Sequence, residues 1–199
     1  MARPERIIDD DGLDLLFRQA RTHRSWTDRP VPDEVLRALY DLAKMAPTSS
    51  NSSPMRVVFV RSREAKRRLL ACLDAGNVRQ TDTAPVTAII AYDTRFYEAF
   101  PTLNPRIDPA RYATRDPAAI RTEAFRNGSL QGGYFILAAR ALGLDYGPMG
   151  GFDRERLDAE FFPDGRWKSN FLCNLGYGDG QGIRPRAGRL AFDEACQIL

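Results

Sequence analysis

Few residues in this chain are of types that do chemistry unaided. His23 is the single histidine, so a Ser-His-Asp or Cys-His relay has one candidate base and no recognisable nucleophile elbow to serve. Cys72, Cys173 and Cys196 are scattered without metal-ligand spacing. There is no HExxH, paired CxxC, Walker loop or GxGxxG following a strand. The chemistry is therefore expected from a bound cofactor. The stretch best suited to meet one runs from Gly143 to Asp153. Gly143 reads as a helix stop that needs positive φ. Pro148 stiffens the chain, and Gly150-Gly151 leave the backbone bare where a flat group could approach. Asp153 is placed to cap a helix over Arg154–Phe161, whose first amides point back at the glycines. Free amides there suit an electron-rich ring edge or an anion. An ordinary connection between two helices accounts for the same residues.

The elements that must hold this stretch follow from hydrophobic spacing. Leu13, Leu16 and Phe17 share a helical face running into Arg21-Thr22-His23-Arg24-Ser25-Trp26. From Pro32 to Met45, the residues Val35, Leu36, Leu39, Tyr40 and Ala43 form a buried helical stripe. A polar loop dense in turn formers follows, Ala46-Pro47-Thr48-Ser49-Ser50-Asn51-Ser52-Ser53-Pro54. Val57–Val60 and Val86–Tyr92 are apolar runs expected as strands covered on both faces, with a helix from Ala65 to Leu73 between them. Residues 93–118 carry Pro101, Pro105, Pro109 and Pro117 and are expected to form an irregular functional loop or lid. Pro117–Leu142 is the longest helical pattern, apolar on more than one side. Its Gly128, Gly132 and Gly133 imply close packing. A third strand runs over Phe171–Tyr177, and Arg184, Arg186 and Arg189 lie in the tail. Helices interleaved with few strands give an α+β class, a small sheet wrapped by helices.

At 199 residues the chain is expected to form one domain with a sizeable core. Its net charge of +3 suits an anionic cofactor or substrate. A nucleic-acid-binding module is the competing class. The basic residues, however, are scattered among acids and form no stripe interleaved with aromatics. Neither an apolar run of membrane-spanning length nor a signal-peptide core is present, and the cysteines read as reduced core thiols, so a cytoplasmic protein is expected.

Four stretches, in order, resemble the FMN-dependent nitroreductase family from about residue 13 to the end. Arg21–Trp26 with Pro30-Val31-Pro32 is similar to the family's opening, and Ala46–Pro54 to its loop over the flavin. Gly147–Asp153 is similar to its flavin-edge loop, and Arg184-Pro185-Arg186 to its C-terminal basic pair. Within the family, Thr83–Ala88 and the run from Phe125 to Gly151 resemble the branch of malonic semialdehyde reductases of pyrimidine utilisation.

The resemblance implies a nitroreductase-like α+β fold with a small mixed sheet and an intertwined homodimer. It also implies a flexible arm over 1–12 and a single FMN-binding domain over 13–199. Arg21, Arg184 and Arg186 would then meet the FMN phosphate with fork-shaped donors, Thr22 would add a hydroxyl, and Arg24 would sit at the pyrimidine end of the ring. His23 would bond the phosphate or ribityl chain, or else serve as a structural histidine. Pro47, Thr48, Ser49, Asn51 and Ser53 would line the ring, Asn51 reaching the neighbouring subunit's flavin. Asn77 matches a ring-contacting position. Gln80 stands where many relatives carry lysine, which leaves Arg24 as the cation at the ring. Pro148, Met149, Gly150 and Gly151 would border flavin N5 through backbone amides. NADH or NADPH would supply hydride, with no metal and no catalytic side chain. The acceptor implied is malonic semialdehyde, its carboxylate held by Arg106, Arg111 or Arg115; the alternative is a broad nitroaromatic or quinone reductase.

Overall fold

The computed structural model describes residues 7–199. Of the expected N-terminal arm, residues 1–6 lie outside the described residues. Asp10–Leu13 is a helical turn, α1, with Asp9 accepting from the Gly12 amide at 2.9 Å, and it continues into a π turn over Asp14–Arg18. The chain then runs extended to α2 (Asp33–Ala43), β1 (Met55–Val60), α3 (Arg63–Leu70), α4 (Ala75–Asp82) and β2 (Val86–Asp93). After β2 come a 3-10 turn (Phe96–Ala99), α5 (Phe100–Leu103) and α6 (Pro109–Ala113). The remaining elements are α7 (Pro117–Ala141), β3 (Asp145–Met149), α8 (Arg154–Phe161), β4 (Trp167–Gly176) and α9 (Phe192–Ala195).

The strands form one sheet in the order β1-β2-β4-β3, and every ladder is antiparallel. The expected mixed sheet is thereby corrected. Among the described residues the parallel element is an isolated bridge between Thr22 and Tyr146. Side chains alternate across the pleat, so neighbours on β2 enter different cores. Ile90 packs with Leu39, Phe135 and Leu175 beneath α2 and α7, and Ile89 packs with Leu69, Leu157 and Leu172 beneath α3 and α8. Each such side chain contributes roughly 1.5–3 kcal/mol by leaving water.

β2 is covered on both faces as expected, but β1 is a half-buried edge strand. An apolar run alone does not separate those cases. α4 and β3 escaped the sequence reading: α4 carries Gly76 inside it, and β3 is a short strand containing Gly147 and Pro148. Gly143, at φ 74°, and Asp153, accepting from the Arg156 amide at 3.0 Å, do the jobs expected of them. The segment between them is a helix-to-strand return rather than a connection between two helices.

Residues 93–116 are not irregular either. Phe96, Phe100 and Tyr112 build a third core with Ile120 and Ala124 of α7. Its root is Asp93, buried and bonded by Arg56 at 2.9 Å and Arg166 at 3.0 Å. On α7, a Cβ at Gly132 would lie 2.6 Å from Phe171, so this glycine lets the helix sit on the sheet. Burial pushes the Cys173 thiol up to about 12, which keeps it inert. Among the described residues no helix is long and apolar enough to cross a membrane.

Candidate functional site

Arg21, Thr22 and Arg24 are carried by an extended segment held along β3. The His23 amide donates to the Tyr146 carbonyl at 2.9 Å, and Trp26 forms a bridge with Gly178. Trp26 is buried and donates its indole N–H to the Gln80 carbonyl at 3.0 Å, tying the segment to α4. From the other side the tail brings Arg184, Arg186 and Arg189. These six residues line one cleft of about 500 Å³, together with Tyr146 and Leu137. Among the described residues the lining holds five arginines and no carboxylate. Arg186 also bonds the carbonyls of Phe17, Arg18 and Ala20 at 2.8–3.0 Å, which fixes the tail against the end of the π turn. Arg21 turns part of its guanidinium to the Ala20 carbonyl at 2.9 Å.

His23 points away from the cleft lining. Its ring is buried, with Nδ1 3.1 Å from the Arg21 carbonyl and 3.5 Å from Asp145. A Cβ on Gly178 would stand 2.0 Å from the ring, so the imidazole fills the space that glycine leaves, outside the cleft. Asp145 was not singled out from sequence. It accepts from Arg140 at the end of α7 and from the Gly178 amide at 2.8 Å, so one carboxylate gathers three segments around the cleft. No short motif marks such a residue. It is an acid at the first position of a strand that went unrecognised.

A second cleft of about 410 Å³ shares Arg24 and Gly182 with the first and adds Trp26, Arg79 and Gln80. Asn77 and Gln80 are brought to the glycine stretch as supports. Gln80 donates to Asn77 at 2.7 Å, and Asn77 donates to the Gly151 carbonyl at 2.8 Å. The Asp74 amide bonds the same carbonyl at 3.2 Å. A Cβ on Gly151 would collide with Asn77 Nδ2 at 2.6 Å, so only glycine allows this contact. Gly150, by contrast, has nothing within 4 Å of a Cβ position, and its backbone stands open beside Pro148 and Met149. Those three line a further cleft with Gly133 and Ile136 of α7.

Pro47, Thr48, Ser49, Asn51 and Ser53 line none of these clefts. Their loop is rigid: the Ser49 amide bonds Asn127 at 2.8 Å, Asn51 donates to the Leu103 carbonyl at 2.8 Å, and the Ser53 amide bonds Thr48 Oγ1 at 3.1 Å. Ser50, Asn51 and Ser53 all have positive φ. Asn tolerates this region better than most residues, whereas serine does not, so the loop carries strain held by α5 and α7. Arg115 is engaged elsewhere, 3.0 Å from Glu123 and over the Tyr112 ring, while Arg106 and Arg111 are exposed. Among the described residues no cluster of His, Cys, Asp and Glu could hold a metal ion.

Residues 17–177 match the model of the nitroreductase family. A protein of Ralstonia nicotianae, provisionally named NADH dehydrogenase/NAD(P)H nitroreductase, is 56% identical over 192 residues, covering 96% of this chain and 98% of that one. A protein of the same provisional name from Rhodopseudomonas palustris is 57% identical over equal shares. The fold is similar to that of a provisionally named nitroreductase of Exiguobacterium sibiricum in complex with FMN. That likeness has a TM-score of 0.84 at 20% identity, over 96% of this chain and 98% of that one. A provisionally named NAD(P)H:FMN oxidoreductase of Staphylococcus epidermidis gives a TM-score of 0.83 at 22% identity over the whole of both chains. With a family match over most of its length and relatives identical at more than half their positions, this chain belongs to the nitroreductase family.

Proposed function

We propose that this protein is an FMN-dependent NAD(P)H oxidoreductase whose acceptor is a short aldehyde acid, malonic semialdehyde, reduced to 3-hydroxypropanoate. The observation that carries the cofactor reading is the cleft lined by five arginines, a threonine hydroxyl and no carboxylate. Such a donor set fits a phosphate monoester and disfavours most other ligands. The open backbone at Gly150 and the braced Gly151 fit the edge of a flat ring extending beyond that cleft. When bound, FMN supplies hydride transfer between the nicotinamide and the acceptor. Arg21, Thr22, Arg184 and Arg186 hold the phosphate, Arg24 supplies positive charge beside the ring, and Gln80 and Asn77 keep the Gly150-Gly151 amides in place. His23 supports the segment from behind.

The hydroxyl loop at 47–53 is apart from the cleft within one chain, so its role at the ring belongs to a homodimer in which a second copy presents it. Two features support that assembly. Phe125, Leu130 and Tyr134 on α7, with Tyr40, Leu42 and Met45 on and just after α2, leave large apolar side chains exposed. Residues 179–199 are exposed throughout, as a segment that embraces a partner would be in the isolated chain. Arg106, Arg111 or Arg115 would meet the acceptor's carboxylate, and the buried free thiols of Cys72 and Cys173 agree with a cytoplasmic protein.

The test is the visible spectrum of purified protein with FMN added, then with NADPH or NADH under anaerobic conditions, followed by turnover with malonic semialdehyde, a nitroaromatic and a quinone. Co-eluting flavin that bleaches on reduction and reoxidises fastest with the aldehyde acid is expected. A colourless protein that fails to take up FMN overturns the cofactor reading. Faster turnover of the nitroaromatic or quinone replaces this acceptor with the alternative, a broad nitroaromatic or quinone reductase.

A further inference from the structure

Lys66 on α3 is buried, with 4% of its surface exposed, and no carboxylate bonds it. Its ammonium donates to the Thr81 carbonyl at 2.6 Å and to Thr87 Oγ1 at 2.7 Å. The hydroxyl of Thr87 donates to Asn174 Oδ1 at 2.7 Å. Asn174 Nδ2 in turn donates to Thr81 Oγ1 at 3.2 Å and to the Gln80 carbonyl at 3.3 Å. The Thr81 hydroxyl donates in turn to Met149 Sδ at 3.6 Å. Every bond in the chain points the same way, from the cation to the thioether. The sheet register explains how: Thr87, Asn174 and Gly147 lie opposite one another on β2, β4 and β3.

This chain reaches the linings of the two clefts described beside the basic one. It meets Trp26 through the shared Gln80 carbonyl, α4 through Thr81, and the glycine stretch through Met149. A positive charge at the Thr81 carbonyl also opposes the negative end of α4. Burial pushes the Lys66 ammonium down to about 8, with Asp82 acting against it, so the charge is held at a cost to the fold. A stability role alone gives no reason to bury an ammonium there; an apolar side chain of similar length would avoid that cost.

We propose that Lys66 is a positioning residue for the cofactor site, setting Gln80 and Met149 in register through Thr87, Asn174 and Thr81. The proposal rests on the FMN reading above. Its test is titration of FMN-free protein with FMN, followed by quenching of flavin fluorescence, with the thermal midpoint measured alongside. Lys66→Met and Thr81→Val, which leaves the Thr81 carbonyl in place, are each expected to weaken FMN binding about tenfold while shifting the midpoint only a few degrees. The double variant is expected to bind no more weakly than the weaker single one, because both cut one chain. Lys66→Gln, which restores a donor without the charge, should recover part of the loss. Native affinity in both single variants, additive losses, or weakening that tracks a fall in midpoint overturns the proposal. Should Lys66→Met fail to fold, Thr81→Val decides by the same readings. Wild-type protein that takes up no FMN overturns the reading beneath it as well, and is told apart because the variants then have nothing to weaken.

Discussion

The two ends of the candidate site are built in opposite ways. At the glycine end, Asn77, Gln80, Thr81, Asn174 and Lys66 fix the wall through bonds that lie mostly inside the protein, and three strands share the register. At the basic end the arginines are largely exposed, and three of the five come from a tail with no buried residue. On the function proposed above, the difference follows from what each end recognises. A phosphate is found by charge and by donors that can rearrange, so precision there adds little. A ring edge is met by backbone amides, and a shift of an ångström there breaks the hydrogen bond. The two ends should therefore answer differently to disturbance, the basic end by losing cations and the buried end by displacement of the wall it holds.

The sharpest probe of the buried end is pH. Lys66 titrates near 8 in the folded protein against an ordinary 10.5. Between those values the unfolded chain keeps the proton and the folded chain has released it. Stability therefore rises with pH across that window. Below it, the whole cost of burying the charge is present, about 3 kcal/mol. Urea unfolding of wild type and Lys66→Met from pH 7 to 10.5 should show the wild type gaining that amount relative to the variant. Parallel curves would mean that Lys66 is solvated, and that the two ends are more alike than their burial suggests.

Gly178→Ala comes next. The new Cβ would meet the buried His23 ring at 2.0 Å, and a crowded core costs about 2 kcal/mol. Because His23 sits between Arg21 and Arg24, this variant should lose stability and FMN affinity together. Arg186→Ala should separate the two. It removes bonds to the carbonyls of Phe17, Arg18 and the buried Ala20 and one cation of five, so FMN affinity should fall about tenfold. The unfolding midpoint in urea should hardly change, as surface substitutions usually stay within about 0.5 kcal/mol. A large loss of stability in Arg186→Ala would place the basic end among the rigid parts of the fold.

The same contrast governs what could be read from the sequence. The basic end was legible: Arg21, Thr22, Arg24, Arg184 and Arg186 were named, and the structure gathers them into one cleft. Charged residues announce themselves by type. The buried end was visible only in part, because its polar atoms belong to residues ordinarily read as strand or helix filler. Lys66 lies in a helix rich in basic residues, and Thr87 and Asn174 lie within largely apolar strands, so nothing in their sequence neighbourhood marks them. Only pairing of β2 with β4 gives them partners. α4 was missed for a related reason. Its moderate apolar content and internal Gly76 give no periodic stripe, and tertiary packing makes the helix. The proline-rich excursion misled in the other direction: Pro109 and Pro117 are first-turn residues of α6 and α7, a position that suits proline.

Gly133 offers the smallest effect and tests the boundary between the two ends. It lies mid-helix in α7, where a Cβ would have nothing within 4 Å, yet it lines the cleft beside Pro148, Met149 and Gly150. Within one chain, Gly133→Ala should stabilise the helix by up to about 1 kcal/mol, since alanine has less backbone entropy to lose. Nothing in the isolated fold needs a glycine there, unlike Gly132, whose Cβ would strike Phe171. If a second copy or the cofactor occupies that cleft, the methyl group meets it instead. The variant should then unfold at higher urea as FMN-free monomer but associate or bind FMN more weakly. Sedimentation and FMN titration of the one variant read both quantities. A gain in stability with unchanged association and affinity would show that this face of α7 is open in the working protein, and would move the dimer contact off it.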